Sequence, residues 1–154
     1  MDRLTPEHRS WNMSRIAGRN TVPEQALRRI LHRIGFRFRL TTGEKVFGKP
    51  DIVLPKYRTV VFMHGCFWHR HRNCKQCYTP KTRIDFWKRK FESNKKHDRR
   101  VGRALHREGW HVVIVWECQL RNIRALEKRF TRVKSRYGNG TSRRTVSGKR
   151  THAE

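Results

Sequence analysis

Between Thr59 and Cys77 the chain reads TVVFMHGCFWHRHRNCKQC, a run that crowds three kinds of chemistry together. His64, His69 and His71 carry imidazoles, which can move a proton near neutral pH or bind a metal. Cys66, Cys74 and Cys77 offer soft sulfur ligands, and Phe67 and Trp68 offer flat rings. A hydrophobic core needs no such mixture. A metal-braced loop that presents reactive groups to a substrate uses all of it.

Structural zinc sites take four Cys or His ligands. Cys66, His71 and Cys74 are close enough in sequence to fold around one ion, and Cys118, just beyond the apolar run HVVIVWE, can supply the fourth ligand. Spacing alone offers a rival, because Cys74 and Cys77 form a C-x-x-C pair. Unrelated thiols and surface histidines are the bland alternative. A second constellation centres on Asp51, with His64 and His69 nearby and Glu24 and Asp98 further off. A carboxylate at a strand end can hold a divalent ion that polarises a phosphoryl oxygen and acidifies a water. A histidine then has the right character to accept that water's proton. An Asp after Pro is, taken alone, more often a turn or cap residue. Phe67, Trp68 and Trp87 form a third set. Beside many cations, exposed rings can stack on bases or wedge between them, whereas the same rings facing inward are only core. Adjacent residues such as Phe67 and Trp68 seldom face one core together.

The elements that must position these groups are legible from period and punctuation. Thr21 and Glu24 make a capping box, with Pro23 in the first turn, for a helix carrying Ala26, Leu27, Ile30, Leu31 and Ile34 and closed by Gly35. Phe36, Phe38 and Leu40 alternate with arginines as in a half-exposed strand. Ile52 to Leu54 and Thr59 to His64 predict two strands joined by a tight connection, which sets Asp51 beside the residues near His64. A long basic helix follows from a weak cap at Thr82 and Asp85, with a break expected near Asn94 and an end at Gly109. His111 to Glu117 predicts the most apolar strand, and Ile123, Leu126, Phe130 and Val133 a last helix. The order is that of an α/β or α+β layer structure, a mixed sheet with helices on its faces.

The 154 residues suit one domain. We read a basic arm over 1–20, a folded domain over 21–136, and a disordered basic tail over 137–154, whose composition cannot bury enough apolar surface. With 38 Lys and Arg against 12 Asp and Glu, the formal charge is +26, which calls for a polyanionic partner. No apolar run approaches the roughly 20 residues of a spanning helix, and the N-terminal segment lacks the apolar stretch of a signal peptide. These features favour a cytosolic protein facing nucleic acid. In a reducing compartment, cysteines are more readily ligands or free thiols than disulfides.

HGCFWHRH, preceded by GKPDIVL and followed by TPKTRIDFW, NKKHDRR and GWHVVIVWEC, resembles the very short patch repair (Vsr) endonucleases, as does the earlier RSWNMSRIAGRNTVPE. The resemblance runs from about Arg9 to Leu120, with its motifs in order. It implies a restriction-endonuclease-like fold that nicks one strand of a double-stranded DNA beside a T:G mismatch left by deamination of 5-methylcytosine. It implies Asp51 as the magnesium ligand and Glu24, His64, His69 and Asp98 as the rest of the active site, with His69 as general base oriented by Asp98 and His64 as the alternative base. The zinc set it implies is Cys66, His71, Cys74 and Cys118, and Phe67, Trp68 and Trp87 match the aromatics inserted beside the mismatch. Met63 stands where the family has Thr, so a main-chain carbonyl to the magnesium survives and a hydroxyl role does not. Cys77 has no counterpart in the family's ligand set. The setting implied is the bacterial cytoplasm, at the nucleoid, with a functional link to a cytosine-5 DNA methyltransferase and room for contact with mismatch-repair proteins.

Overall fold

The computed structural model describes residue 5 and residues 20–40 and 46–138. The expected arm and tail therefore lie almost wholly outside the described residues. Helix α1 spans Val22–Arg33 and starts as its sequence dictates. The Thr21 hydroxyl accepts the Glu24 N–H and donates in turn to the Glu24 carboxylate, at 3.4 and 2.8 Å. The helix stops at Gly35, whose φ of +82° suits a residue without Cβ. There the Gly35 N–H bonds the His32 carbonyl and the Phe36 N–H bonds the Leu31 carbonyl, a Schellman closure.

That closure explains one departure from expectation. The strand expected over Phe36 to Leu40 is reduced to a single antiparallel bridge between Arg39 and Val53. Phe36 has its N–H committed to the helix end and its ring fully buried in the core, so pairing begins only at Arg39. Strands β1 (Ile52–Leu54) and β2 (Thr59–His64) pair antiparallel, joined by a 3-10 turn over Pro55–Tyr57. Strand β3 (His111–Trp116) pairs parallel to β2 along its whole length, giving the order β1-β2-β3. A parallel neighbour needs a crossover. Helix α2 (Ile84–Arg107) provides it, and α3 (Ile123–Tyr137) follows a 3-10 turn at Glu117–Arg121.

Helix α2 differs from its sequence reading at two points. It runs unbroken through Asn94, whose amide donates to the Trp68 carbonyl at 2.9 Å and so serves a tertiary contact rather than a kink. Its cap position is held by Arg83 with φ +52°, without a side-chain capping bond; the guanidinium lies over the Phe86 ring instead.

Side-chain alternation in the strands sorts the core into two layers. Ile52, Leu54, Val61 and Val115 pack with Leu27 and Leu31 of α1 and Leu126 and Phe130 of α3. Val53 and Val60 pack on the other face with Val101 and Leu105 of α2. The same alternation points Phe62 and His64 toward α2. Among the described residues no helix is long and apolar enough to cross a membrane.

Candidate active site

Asp51 sits at the entry to β1 and is fixed by two main-chain bonds to β2. Its own N–H donates to the Val61 carbonyl at 3.1 Å, and its Oδ2 accepts the Met63 N–H at 2.7 Å. Because N–H and C=O of one strand residue point to the same edge, the Met63 carbonyl faces the Asp51 side as well. Burial raises the Asp51 carboxyl to about 6, opposed by the Met63 hydrogen bond and reinforced by the neighbouring Glu24 charge. Glu24 is itself buried and held by the Asn20 N–H, the Thr21 hydroxyl and Arg28.

Across the cleft, β2 ends at His64 and a tight turn brings His69 back over it. Their rings stack at 3.8 Å, 16° from parallel. His69 Nδ1 meets Asp98 Oδ2 of α2 at 2.7 Å. Burial pushes the Asp98 carboxyl up, but the His69 hydrogen bond and the His69, His64 and His97 charges outweigh it and hold the group below its usual value. Burial, with the His69 charge, lowers His64 to about 4, so it is neutral at physiological pH. Its Nδ1 is buried without a hydrogen-bond partner. Glu24, Asp51, His64, His69 and Asp98 line one cleft, together with Lys49 and His97, which the sequence reading did not single out. His97 adjoins Asp98 in NKKHDRR; Lys49 had only its position two residues before Asp51 as a signal.

His64, His69 and Asp98 also lie close enough to share an ion. A metal ligand must aim its in-plane lone pair at the ion, and two stacked rings have parallel planes that do not converge. With His69 Nδ1 already on Asp98, the arrangement suits proton transfer through the other ring nitrogen. The Asp51 edge could hold a divalent ion. A carboxylate beside a backbone carbonyl is the hard oxygen set that magnesium takes, completed by waters and substrate.

The thiols lie just beyond. Ligand atoms of Cys66, His71, Cys74 and Cys118 all fall within 4.8 Å of one another, and Cys77 is not among them. Cys66 Sγ and Cys118 Sγ stand 3.7 and 3.3 Å from His71 Nδ1. Zinc bonds of about 2.0–2.3 Å in a tetrahedron place ligand atoms roughly 3.5–3.8 Å apart, so the donor set fits zinc. The His71 ring lies flat on Trp116 at 4.3 Å. Burial pushes the Cys66 thiol up to about 12 and raises Cys118, while the Gln76 N–H lowers Cys74.

The rings expected to face DNA form one aromatic cluster. Phe67 meets Trp68, Trp87 and Phe91 edge-on at 5.1 to 5.2 Å. Phe67 and Trp68 thus share a cluster although adjacent, because they lie in a turn rather than an extended strand. Both are half-buried.

This mixed sheet between helices, with carboxylates and imidazoles in one cleft at the end of paired strands, is a restriction-endonuclease-like fold. The fold is shared with the homing endonuclease I-Bth0305I catalytic domain, with a TM-score of 0.51 and 14% identity over 77% of this chain and 98% of that one. Residues 1–76 match the family model "DNA mismatch endonuclease Vsr". The chain is 47% identical over 132 residues to the type II nicking enzyme V.XorIIP of Xanthomonas oryzae, covering 86% of this chain and 96% of that protein. It is 45% identical to the DNA mismatch endonuclease Vsr of Escherichia coli, covering 73% and 71%. It is 41% identical to the type II nicking enzyme V.NmeAIP of Neisseria meningitidis, covering 86% and 93%. The chain belongs to the Vsr family of DNA mismatch endonucleases and is a DNA endonuclease.

Proposed function

We propose that the protein nicks one strand of duplex DNA beside a T:G mismatch, the product of 5-methylcytosine deamination, and so starts very short patch repair. One observation carries this reading: the hydrolytic cleft and the aromatic cluster adjoin, Trp68 in one and His69 in the other being chain neighbours. A base step opened by the rings lies next to the phosphate that the imidazole reaches. A weak pair is the one most cheaply opened. The cations of a chain with 38 Lys and Arg neutralise the phosphates on either side.

Asp51 and the Met63 carbonyl would hold magnesium, which when bound neutralises charge on the phosphoryl group and acidifies a water. Burial of Asp51 beside Glu24 concentrates negative charge where that cation is wanted. His69 accepts the water's proton through Nε2, while Asp98 fixes the ring's tautomer and stabilises the imidazolium. His64, neutral and stacked on that ring, limits its rotation without repelling the new charge. Cys66, His71, Cys74 and Cys118 would hold a structural zinc that braces the turn between His64 and the aromatics.

The test is a T:G duplex labelled on either strand in separate reactions, with and without magnesium. We expect a nick in the T strand only, dependent on magnesium, and little cleavage of the fully paired duplex. Equal cleavage of paired and mismatched DNA, or cleavage of both strands, overturns the reading. The implied link to a cytosine-5 methyltransferase follows from the same substrate, since that enzyme creates the base whose deamination is repaired.

A further inference from the structure

We propose that Tyr78 is a base-stacking residue, a fourth ring of the DNA wedge. The inference rests on the wedge reading of Phe67, Trp68 and Trp87. Those three rings are half-buried and spend much of their surface on one another. Tyr78 is different: it is 64% exposed, yet its ring lies on Phe67 with centroids 4.9 Å apart and planes 35° from parallel. The ring is anchored by its contact with Phe67 and much of the rest of it is open to solvent.

Its backbone is fastened. Arg70, itself in the left-handed region with φ +57°, donates to the Tyr78 carbonyl at 2.8 Å and to the Thr79 hydroxyl at 3.0 Å. The same guanidinium lies 4.4 Å over the Phe91 ring and is thereby tied to α2. A ring left mostly in water on a braced loop adds little stability through burial. It is the arrangement expected of a preorganised contact whose ordering cost has been met before binding.

The surroundings name the occupant. Exposed Arg72, Lys75, Lys81 and Arg83 flank the ring in sequence and attract phosphates, so the flat partner is a nucleobase of a DNA strand rather than an apolar peptide. A paired, stacked base does not offer its face. Tyr78 therefore acts where the duplex is opened, on the mismatch or a base beside it.

The experiment compares Tyr78→Ala, Tyr78→Leu and Tyr78→Phe with Trp68→Ala, reading affinity for T:G and fully paired duplexes at fixed salt. Zinc content and thermal unfolding of each full-length variant serve as fold checks. We expect Tyr78→Ala to weaken mismatch binding by about tenfold, within the range of one base–aromatic stack, and paired-duplex binding far less. Tyr78→Phe should restore it, whereas Tyr78→Leu, which still packs on Phe67, should not. Rescue by Leu as full as by Phe would reduce Tyr78 to a packing residue and overturn the proposal. A loss of mismatch preference in Trp68→Ala with none in Tyr78→Ala would overturn it while leaving the wedge standing. No loss in either variant would remove the wedge and the proposal together.

Discussion

Two clusters of ligating side chains grow from the end of β2, and they differ in almost every physical respect. Cys66, His71, Cys74 and Cys118 form a closed set of soft donors pointing at one another. Asp51, His64, His69 and Asp98 form an open set of oxygens and imidazoles that points into a cleft. His64 and Cys66 are only two residues apart, so one tight turn separates a centre suited to holding a fold from one suited to turning over substrate. A structural site is complete without its substrate, whereas a catalytic one must be left incomplete. In the open set burial raises the Asp51 carboxyl to about 6, and the His64 Nδ1 is buried without a hydrogen-bond partner among the described residues.

Breaking the open site should have the largest effect on nicking. Asp51→Ala should lower single-turnover cleavage by about a thousandfold or more, the loss of several kcal/mol of electrostatic stabilisation. Zinc content should stay unchanged and mismatch binding undiminished, measured by metal analysis and duplex titration. A variant that nicks normally would remove Asp51 from the metal edge. His69→Ala should slow cleavage by about 10² to 10⁴-fold at saturating magnesium, because it removes the imidazole that accepts the proton. If the variant nicks at near the wild-type rate, the base is another group, and His64 is next in the cleft.

Breaking the closed site should act on stability first. Cys74→Ser should lose zinc and several kcal/mol of stability, since metal binding and folding share one free energy. Cys77→Ser should keep both. The reverse outcome would favour the C-x-x-C pair. Chelating magnesium should stop cleavage and leave the thermal transition of the zinc-loaded protein nearly in place.

The smallest effect is a pH dependence that belongs to the open site alone. In magnesium-free protein the folded state holds the Asp51 proton up to about pH 6, against 3.8 for an ordinary Asp. The native state binds more protons across that interval, so the contribution present below the lower value is lost as pH rises through the higher one. Asp51→Asn should therefore stabilise magnesium-free protein by about 1–3 kcal/mol at pH 7.5 and by little near pH 4. His64 slopes the other way, its contribution being lost as pH falls toward about 4. Comparing wild type with Asp51→Asn at each pH cancels that term. A pH-independent difference would mean that the Asp51 carboxyl is ordinary.

Much of this was legible in the sequence for local reasons. The Thr21–Glu24 cap, the Gly35 and Gly109 stops and the short apolar strands β1 and β2 are decided within a few residues, and the structure places them where the pattern does. Cys118 could be joined to Cys66 because it lies just past an apolar strand, and a strand parallel to β2 ends beside it. What failed was decided at long range. The break expected at Asn94 is absent because a loop carbonyl 26 residues away takes its amide. The strand expected after Gly35 begins late because the helix end takes the Phe36 N–H. Lys49 and His97 escaped notice because only the assembled cleft gives them neighbours.

The continuity of α2 has a metric consequence. Trp87 and Asp98 are eleven residues apart on one unbroken helix, which at 1.5 Å per residue fixes them about 16 Å apart along its axis. Trp87, the one proposed wedge ring on this helix, and the carboxylate that would aim the base are thus mounted on a single ruler. On the proposed function, where the strand is cut relative to the opened step would then be set by a length rather than by a sequence of motions. Lengthening the ruler by one turn should move the cut or abolish it, while a hinge at Asn94 should blur its position.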